Sequence, residues 1–126
     1  MNHDHLISIV IPVYNEQGNI RKLYDTLSTE LKELWYSFEI IFVDDGSHDR
    51  SAEIVKDLGT KDPRVKLISL SRNFGTQLAI FAGLENARGA AVVVMDADLQ
   101  HPPTLIRDML ARWEEDFEVV YSVREE

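Results

Sequence analysis

Asp96-Ala97-Asp98, with Gln100 two residues on, is the stretch of this chain most suited to chemistry. Two carboxylates facing one cavity repel each other, so a proton, a basic side chain or a divalent cation must compensate them. A lone D-x-D is more often an acidic turn that caps the following helix. Three other stretches carry candidate polar groups: Tyr14-Asn15-Glu16, Asp44-Asp45-Gly46-Ser47 and Arg72-Asn73-Phe74-Gly75. Asp-Gly is a strong turn signal, so Asp44 and Asp45 alone read as turn residues before they read as acceptors for a base or a ribose hydroxyl. Arg72 can hold a phosphate in bidentate geometry, although a solvated arginine beside a turn glycine explains it equally well. His48 and His101 flank the acidic turns and read as loop residues, or as a helix cap in the case of His101.

The elements around these stretches decide whether they meet. Residues 6–13 (LISIVIPV) form a β-branched run expected to be a buried strand, with pairing failing near Pro12 because proline fits a central strand poorly. Ile20, Leu23, Tyr24, Leu27, Leu31 and Leu34 recur at helical spacing. A second strand is expected over 38–43, then a short helix capped by Asp49 or Ser51 and stopped by Gly59. A third strand spans 65–70. The helix over 76–87 is apolar all round, which predicts burial between other elements, with Gly89 closing it. A fourth strand, 90–94, delivers the D-x-D. Pro103 opens a helix carrying Leu105, Ile106, Met109, Leu110 and Trp113, and 118–123 reads as a further strand.

Strands alternating with helices imply a mainly parallel α/β sheet. Three strand ends then carry polar turns on one edge, where open α/β sheets bind ligands. That convergence favours a site over isolated turns.

The totals narrow the function. One domain of 126 residues with 44% hydrophobic and 28% charged residues is an ordinary globular composition that needs no disulfide to build a core. The absence of cysteine excludes a thiolate nucleophile and a cysteine zinc site. A formal net charge of -9 disfavours nucleic acid as a partner, and a phosphate-bearing ligand would need a cation or a local basic patch. Neither a signal peptide nor an apolar run near the roughly 20 residues of a membrane span is visible, so the chain as given is expected to be soluble and cytoplasmic. The first strand is not followed by G-x-G-x-x-G, and no G-x-x-x-x-G-K-[ST] occurs, which argues against a dinucleotide-binding dehydrogenase and a P-loop. A phosphatase nucleophile or a receiver-domain acidic pair would be expected after the first strand, not after the fourth or second.

Taken together, VIPVYNE (10–16), FVDDGSHD (42–49), SLSRNFG (69–75) and VVVMDADLQHPP (92–103) closely resemble the family 2 inverting glycosyltransferases. The likeness is greatest to the branch that makes polyprenyl-phosphate sugars, both the dolichol-phosphate mannosyltransferase-like and the undecaprenyl-phosphate glycosyltransferase-like members. It implies the glycosyltransferase type A fold, a Rossmann-like, mainly parallel sheet with helices on both faces, here truncated. By resemblance, Pro12, Tyr14 and Glu16 line the nucleobase end of a donor pocket, Asp44 contacts the base and Asp45 supports it. Arg72, Asn73 and Gly75 border the diphosphate and sugar, with Gln77 contributing. Asp96, Ala97 and Asp98 form the ribose and metal site, with Asp96 and Asp98 catalytic and Gln100 a further metal ligand. The implied ion is Mg²⁺ or Mn²⁺ and the implied donor a nucleoside-diphosphate sugar, UDP- in mild preference to GDP-. The implied acceptor is a polyprenyl phosphate at the cytoplasmic face of a membrane.

Members of that branch continue well past residue 126 with the acceptor site and membrane helices. Residues 1–126 therefore read as the donor-binding part, expected to bind nucleotide and metal yet transfer sugar poorly, and prone to self-association through surface left open. A non-catalytic nucleotide-binding or partner module that retains the pocket is the alternative.

Overall fold

The computed structural model describes residues 6–97 and the helix 105–114. Four parallel strands, β1 (Leu6–Val13), β2 (Ser37–Asp44), β3 (Val65–Ser69) and β4 (Ala91–Val94), lie in the order β3-β2-β1-β4. Chain order thus runs outward from β1 to β3 and then returns to the other side of β1. The reversal makes the gap between β1 and β4 the topological switch point of the sheet, where ligands bind in open α/β folds.

β-Branched alternation gives β1 two buried faces. Ile7, Ile9, Ile11 and Val13 pack under α1 (Ile20–Leu31), α2 (Ser51–Lys61) and α4 (Leu105–Glu114), while Val10 points to the opposite face under α3 (Thr76–Asn86). Helix α1 follows its predicted stripe, with Ile20, Leu23, Leu27 and Leu31 all buried. Burying each such side chain is worth about 1.5–3 kcal/mol, which outweighs the lack of a side-chain cap at Asn19.

The behaviour of Pro12 refines the sequence expectation. Pairing of β1 with β2 continues through Pro12 to Val13↔Asp44, whereas pairing with β4 ends at Val10↔Val94. Backbone groups of even-numbered β1 residues face β4, as Val10 shows by accepting the Met95 N–H at 3.0 Å. The donor that proline lacks therefore faces β4, beyond the last pair, and leaves the β2 ladder intact.

Several helix expectations are corrected, beginning with α2, whose N-cap is Arg50 rather than Asp49 or Ser51 and makes no side-chain cap bond. Gly59 does not stop α2, which runs on to Lys61 and ends at Asp62-Pro63. A glycine inside a helix costs only about 1 kcal/mol, whereas Asp62 leaves the helical conformation and accepts the Arg64 N–H at 3.0 Å. Helix α3 is not buried all round, because only Ala79 and Gly83 are buried while Leu78, Phe81 and Leu84 are 54%, 57% and 43% exposed. A Cβ at Gly83 would overlap the Val10 side chain, so this small contact face lets the helix sit close on the sheet while its larger residues point away. Gly89 lies beyond the helix end at Ala87, packed against Leu6 and Ser8. The strand expected over 118–123 lies outside the described residues.

At the N-terminal edge of the sheet, a buried polar cluster pins the start of β4. Ser8 Oγ donates to Glu39 Oε2 at 2.5 Å, and the Arg88 N–H donates to the same oxygen at 2.7 Å. Lys66 Nζ lies 2.8 Å from Glu39 Oε1, and the Gly89 N–H donates to Ser8 Oγ at 2.8 Å. Burial pushes the Glu39 carboxyl up, but its bonds from Lys66, Ser8 and Arg88 outweigh burial and hold it below the usual carboxylate range. By fixing the turn into β4, the cluster helps set the register that carries Asp96 to the opposite edge.

Candidate functional site

Beyond Val10↔Val94 the β1 and β4 chains part, and a crevice of about 210 Å³ opens between their ends. Pro12, Val13, Tyr14, Glu16, Asp45, Thr76, Asp96 and Ala97 line it. Four elements contribute: the end of β1 with its loop, the end of β2, the first residue of α3, and the end of β4. Six of the predicted residues meet here, namely Pro12, Tyr14, Glu16, Asp45, Asp96 and Ala97.

Asp45 has a second task. Only 3% exposed, it accepts the Phe74 N–H on Oδ1 at 2.8 Å and the Gly75 N–H on Oδ2 at 3.1 Å. Gly46 completes the clamp, because its φ of 74° suits glycine and a Cβ there would overlap the Arg72 and Asn73 backbone. The β2 turn thus holds the 72–75 loop directly against itself, and Gly75, with φ 104°, leads into α3. Thr76 reaches the crevice as a result.

The same clamp explains which predicted residues do not line the crevice. Arg72 is exposed and its guanidinium lies over the Phe74 ring, 4.7 Å from the centroid, and Asn73 and Gln77 are exposed beside it. Gly75 contributes through its backbone bond to Asp45. Asp44 is buried in its own turn, where Oδ1 accepts the Ser47 N–H at 3.3 Å. Asp98 and Gln100 lie outside the described residues, as does His101. Val13 and Thr76 are crevice residues that the sequence reading missed. A hydroxyl residue directly after a loop glycine and opening a helix was the available signal for Thr76.

Five of the lining residues carry side-chain oxygens: Glu16, Asp45 and Asp96 have carboxylates, that of Asp45 engaged by the Phe74 and Gly75 amides, and Tyr14 and Thr76 have hydroxyls. This is hard-ligand chemistry suited to Mg²⁺ or Mn²⁺. Asp96 is the described carboxylate at the β4 end, and among the described residues no three acidic or histidine side chains are grouped closely enough to hold a metal by themselves. The donor types fit a hard divalent ion shared with a ligand's own oxygens.

A parallel sheet with a carboxylate-bearing crevice at its switch point is an open α/β domain, the class in which ligands bind at that position. Residues 8–126 match glycosyl transferase family 2, and the chain belongs to that family. Its sheet is that of the type A glycosyltransferase fold. It is 52% identical over 117 residues to the uncharacterized glycosyltransferase YkcC of Bacillus subtilis, covering 93% of this chain and 36% of that protein. Undecaprenyl-phosphate 4-deoxy-4-formamido-L-arabinose transferase of Pseudomonas fluorescens is 44% identical over 121 residues, with 95% and 36% covered.

Among solved structures, residues 1–349 of Staphylococcus aureus TarS in complex with UDP-GlcNAc superpose with a TM-score of 0.68 at 26% identity, covering 86% of this chain and 31% of that one. The mannosyltransferase PcManGT of Pyrobaculum calidifontis, in complex with GDP-Man and Mn²⁺, gives 0.61 at 27% identity, covering 73% and 27%. The chain thus spans about a third of the length of the curated relatives it matches. No helix among the described residues is long and apolar enough to cross a membrane.

Proposed function

We propose that residues 1–126 are the donor-binding part of an inverting glycosyltransferase that takes a nucleoside-diphosphate sugar together with Mg²⁺ or Mn²⁺. The observation that carries this reading is the meeting of Tyr14, Glu16, Asp45 and Asp96 in one crevice at the β1–β4 switch point. Complexes of similar folds with UDP-GlcNAc and with GDP-Man and Mn²⁺ support it. UDP is mildly preferred to GDP. The similarity to an undecaprenyl-phosphate transferase supports a polyprenyl phosphate as acceptor, and with it a place for the longer protein at the cytoplasmic face of a membrane.

Each residue has a role in this reading. Pro12, Tyr14 and Glu16 wall the nucleobase end, Asp44, buried in its own turn, is the carboxylate assigned to the base, and Asp45 fixes the opposite wall through the 72–75 loop. Arg72, Asn73, Gly75 and Gln77 belong to the diphosphate and sugar region, with Arg72 turning from Phe74 toward the ligand when the donor binds. Asp96, Asp98 and Gln100 would hold the cation, and Asp96, Ala97 and Asp98 belong to the ribose end of the site. A bound divalent ion supplies neutralisation of charge on the leaving diphosphate. In the transfer, a phosphate oxygen of the acceptor bonds to the anomeric carbon as the carbon–oxygen bond to the diphosphate breaks. The nucleoside diphosphate departs with the electron pair. Attack opposite the leaving group inverts the centre, and an acceptor already anionic near neutral pH needs no dedicated general base.

Calorimetric titration of UDP- and GDP-sugars with and without Mn²⁺ tests the donor site. Metal-dependent binding that Asp98→Ala abolishes is the expected outcome, and binding indifferent to metal overturns the reading. The 126-residue chain alone is expected to bind without efficient transfer, so robust transfer to a polyprenyl phosphate would overturn its assignment as the donor part only. The exposed Leu78, Phe81 and Leu84 on α3 support self-association of this chain. A strictly monomeric sedimentation profile at high concentration would refute it.

A further inference from the structure

Asn15 stands between two crevice residues, Tyr14 and Glu16, but does not itself line the crevice. Its backbone is left-handed, with φ 53°, a conformation that asparagine tolerates better than most residues. It faces the loop after β2 instead. The Asn15 N–H donates to Ser47 Oγ at 2.9 Å, and the His48 N–H donates back to Asn15 Oδ1 at 2.8 Å. Three more bonds repeat this exchange further along. The Glu16 N–H donates to Ser51 Oγ at 2.9 Å, the Gln17 N–H to Asp49 Oδ2 at 3.1 Å, and the Arg50 N–H to Gln17 Oε1 at 3.0 Å. Asp49 Oδ1 in turn accepts from both the N–H and the hydroxyl of Ser51. The His48 ring meets the Tyr14 ring edge-on, with centroids 6.4 Å apart.

Every one of these cross-loop bonds joins a side chain of one loop to the backbone of the other, and they run in both directions. Backbone groups that would otherwise take up water are fixed against the opposite loop, so neither loop can shift without the other. The walls they carry are Tyr14 and Glu16 on one side and Asp45 on the other. We infer that Asn15 and Ser47 are positioning residues, which lock the β1–α1 and β2–α2 loops together and so preset the two walls of the donor crevice before ligand arrives. The inference rests on the donor-site reading for its consequence in binding, but not for the coupling itself.

Two measurements on the whole chain separate the two claims. In calorimetry with UDP and Mn²⁺, Ser47→Ala and Asn15→Gly should each weaken binding roughly five- to tenfold, one hydrogen bond's worth of order. The second variant keeps the left-handed backbone open while removing the side-chain acceptor. Ser47→Thr and Asn15→Asp, which retain the hydroxyl and the acceptor, should stay within about twofold of the parent. The double variant Asn15→Gly/Ser47→Ala should be little weaker than the poorer single one, since both break one unit. Normal affinity in the two disruptive variants, or failure of the conservative ones to rescue it, overturns the inference.

Ligand-free amide hydrogen exchange is the second measurement. Ser47→Ala should accelerate exchange at Gln17 and Arg50, whose amides Ser47 does not touch, and leave the β1 amides unchanged. Unchanged exchange at Gln17 and Arg50 overturns the coupling. If the parent chain binds no UDP with Mn²⁺, the donor-site reading falls and exchange alone decides the coupling.

Discussion

Asp45 and Gly75 are joined by a 3.1 Å hydrogen bond from the Gly75 amide to Asp45 Oδ2, which ties the end of β2 to the entrance of α3. With Phe74 on the other oxygen, both carboxylate oxygens serve the 72–75 loop. Asp45→Asn replaces one acceptor by a donor that faces an N–H. It should lower stability by about 1–3 kcal/mol, the cost of an unsatisfied buried polar group, read as a shift in the urea midpoint. An unchanged midpoint would show that the loop is held by other contacts.

Close seating of α3 predicts a contrast within one helix. Gly83→Ala places a methyl group against Val10 and should destabilise by about 1–3 kcal/mol through overpacking. Phe81→Ser, on the exposed face, should stay within about 0.5 kcal/mol. Thermal or urea unfolding of the two variants distinguishes this arrangement from one with Phe81 in the core.

Glu39 predicts an acid-dependent term in stability. Its folded-state pKa is lowered, so its stabilisation is fully present above the unfolded carboxylate value of about 4.3 and is lost as pH falls through the folded value. Asp62 follows the same sign, because the Arg64 guanidinium holds its carboxyl well below the usual range. Comparing the parent with Glu39→Gln should show a gap of about 1–3 kcal/mol near neutral pH that narrows toward acid. A gap independent of pH down to acid unfolding would exclude the ionised carboxylate as its source.

Thr76 gives a test at the crevice itself. Thr76→Val keeps the shape of the side chain and removes the hydroxyl, so UDP–Mn²⁺ affinity should fall about two- to tenfold, as expected for one neutral hydrogen bond. The melting temperature should hardly move, because the side chain is exposed. Unchanged affinity would remove Thr76 from the ligand contacts.

Much of this was legible in the sequence for identifiable reasons. β-Branched runs marked β1, β2 and β4, and turn residues at their ends marked one edge of the sheet, so the convergence of Tyr14, Asp45 and Asp96 followed from topology alone. Side-chain direction did not follow. Arg72 is the local cation in composition, yet the clamp by Asp45 and Gly46 turns it onto Phe74, a tertiary effect with no local signature. Overall apolarity misread α3 because it counts large and small residues alike. Ala79 and Gly83, four apart, mark the contact face, and the spacing of small side chains carried that information. Asn15 was visible only as a turn residue after β1, because the bonds that give it a cross-loop role span more than thirty residues of chain.

Pro12 has a consequence for how the crevice persists. In the β1–β4 register, the next rung after Val10↔Val94 would call for an N–H at position 12 directed at the Met95 carbonyl. Any other residue there would offer that donor, and the two strands could zip one step further over the space that Asp96 and Tyr14 border. Sheet growth and ligand entry are competing uses of the same gap. A covalent ring settles the competition in favour of the open gap, so no loop has to hold the strands apart.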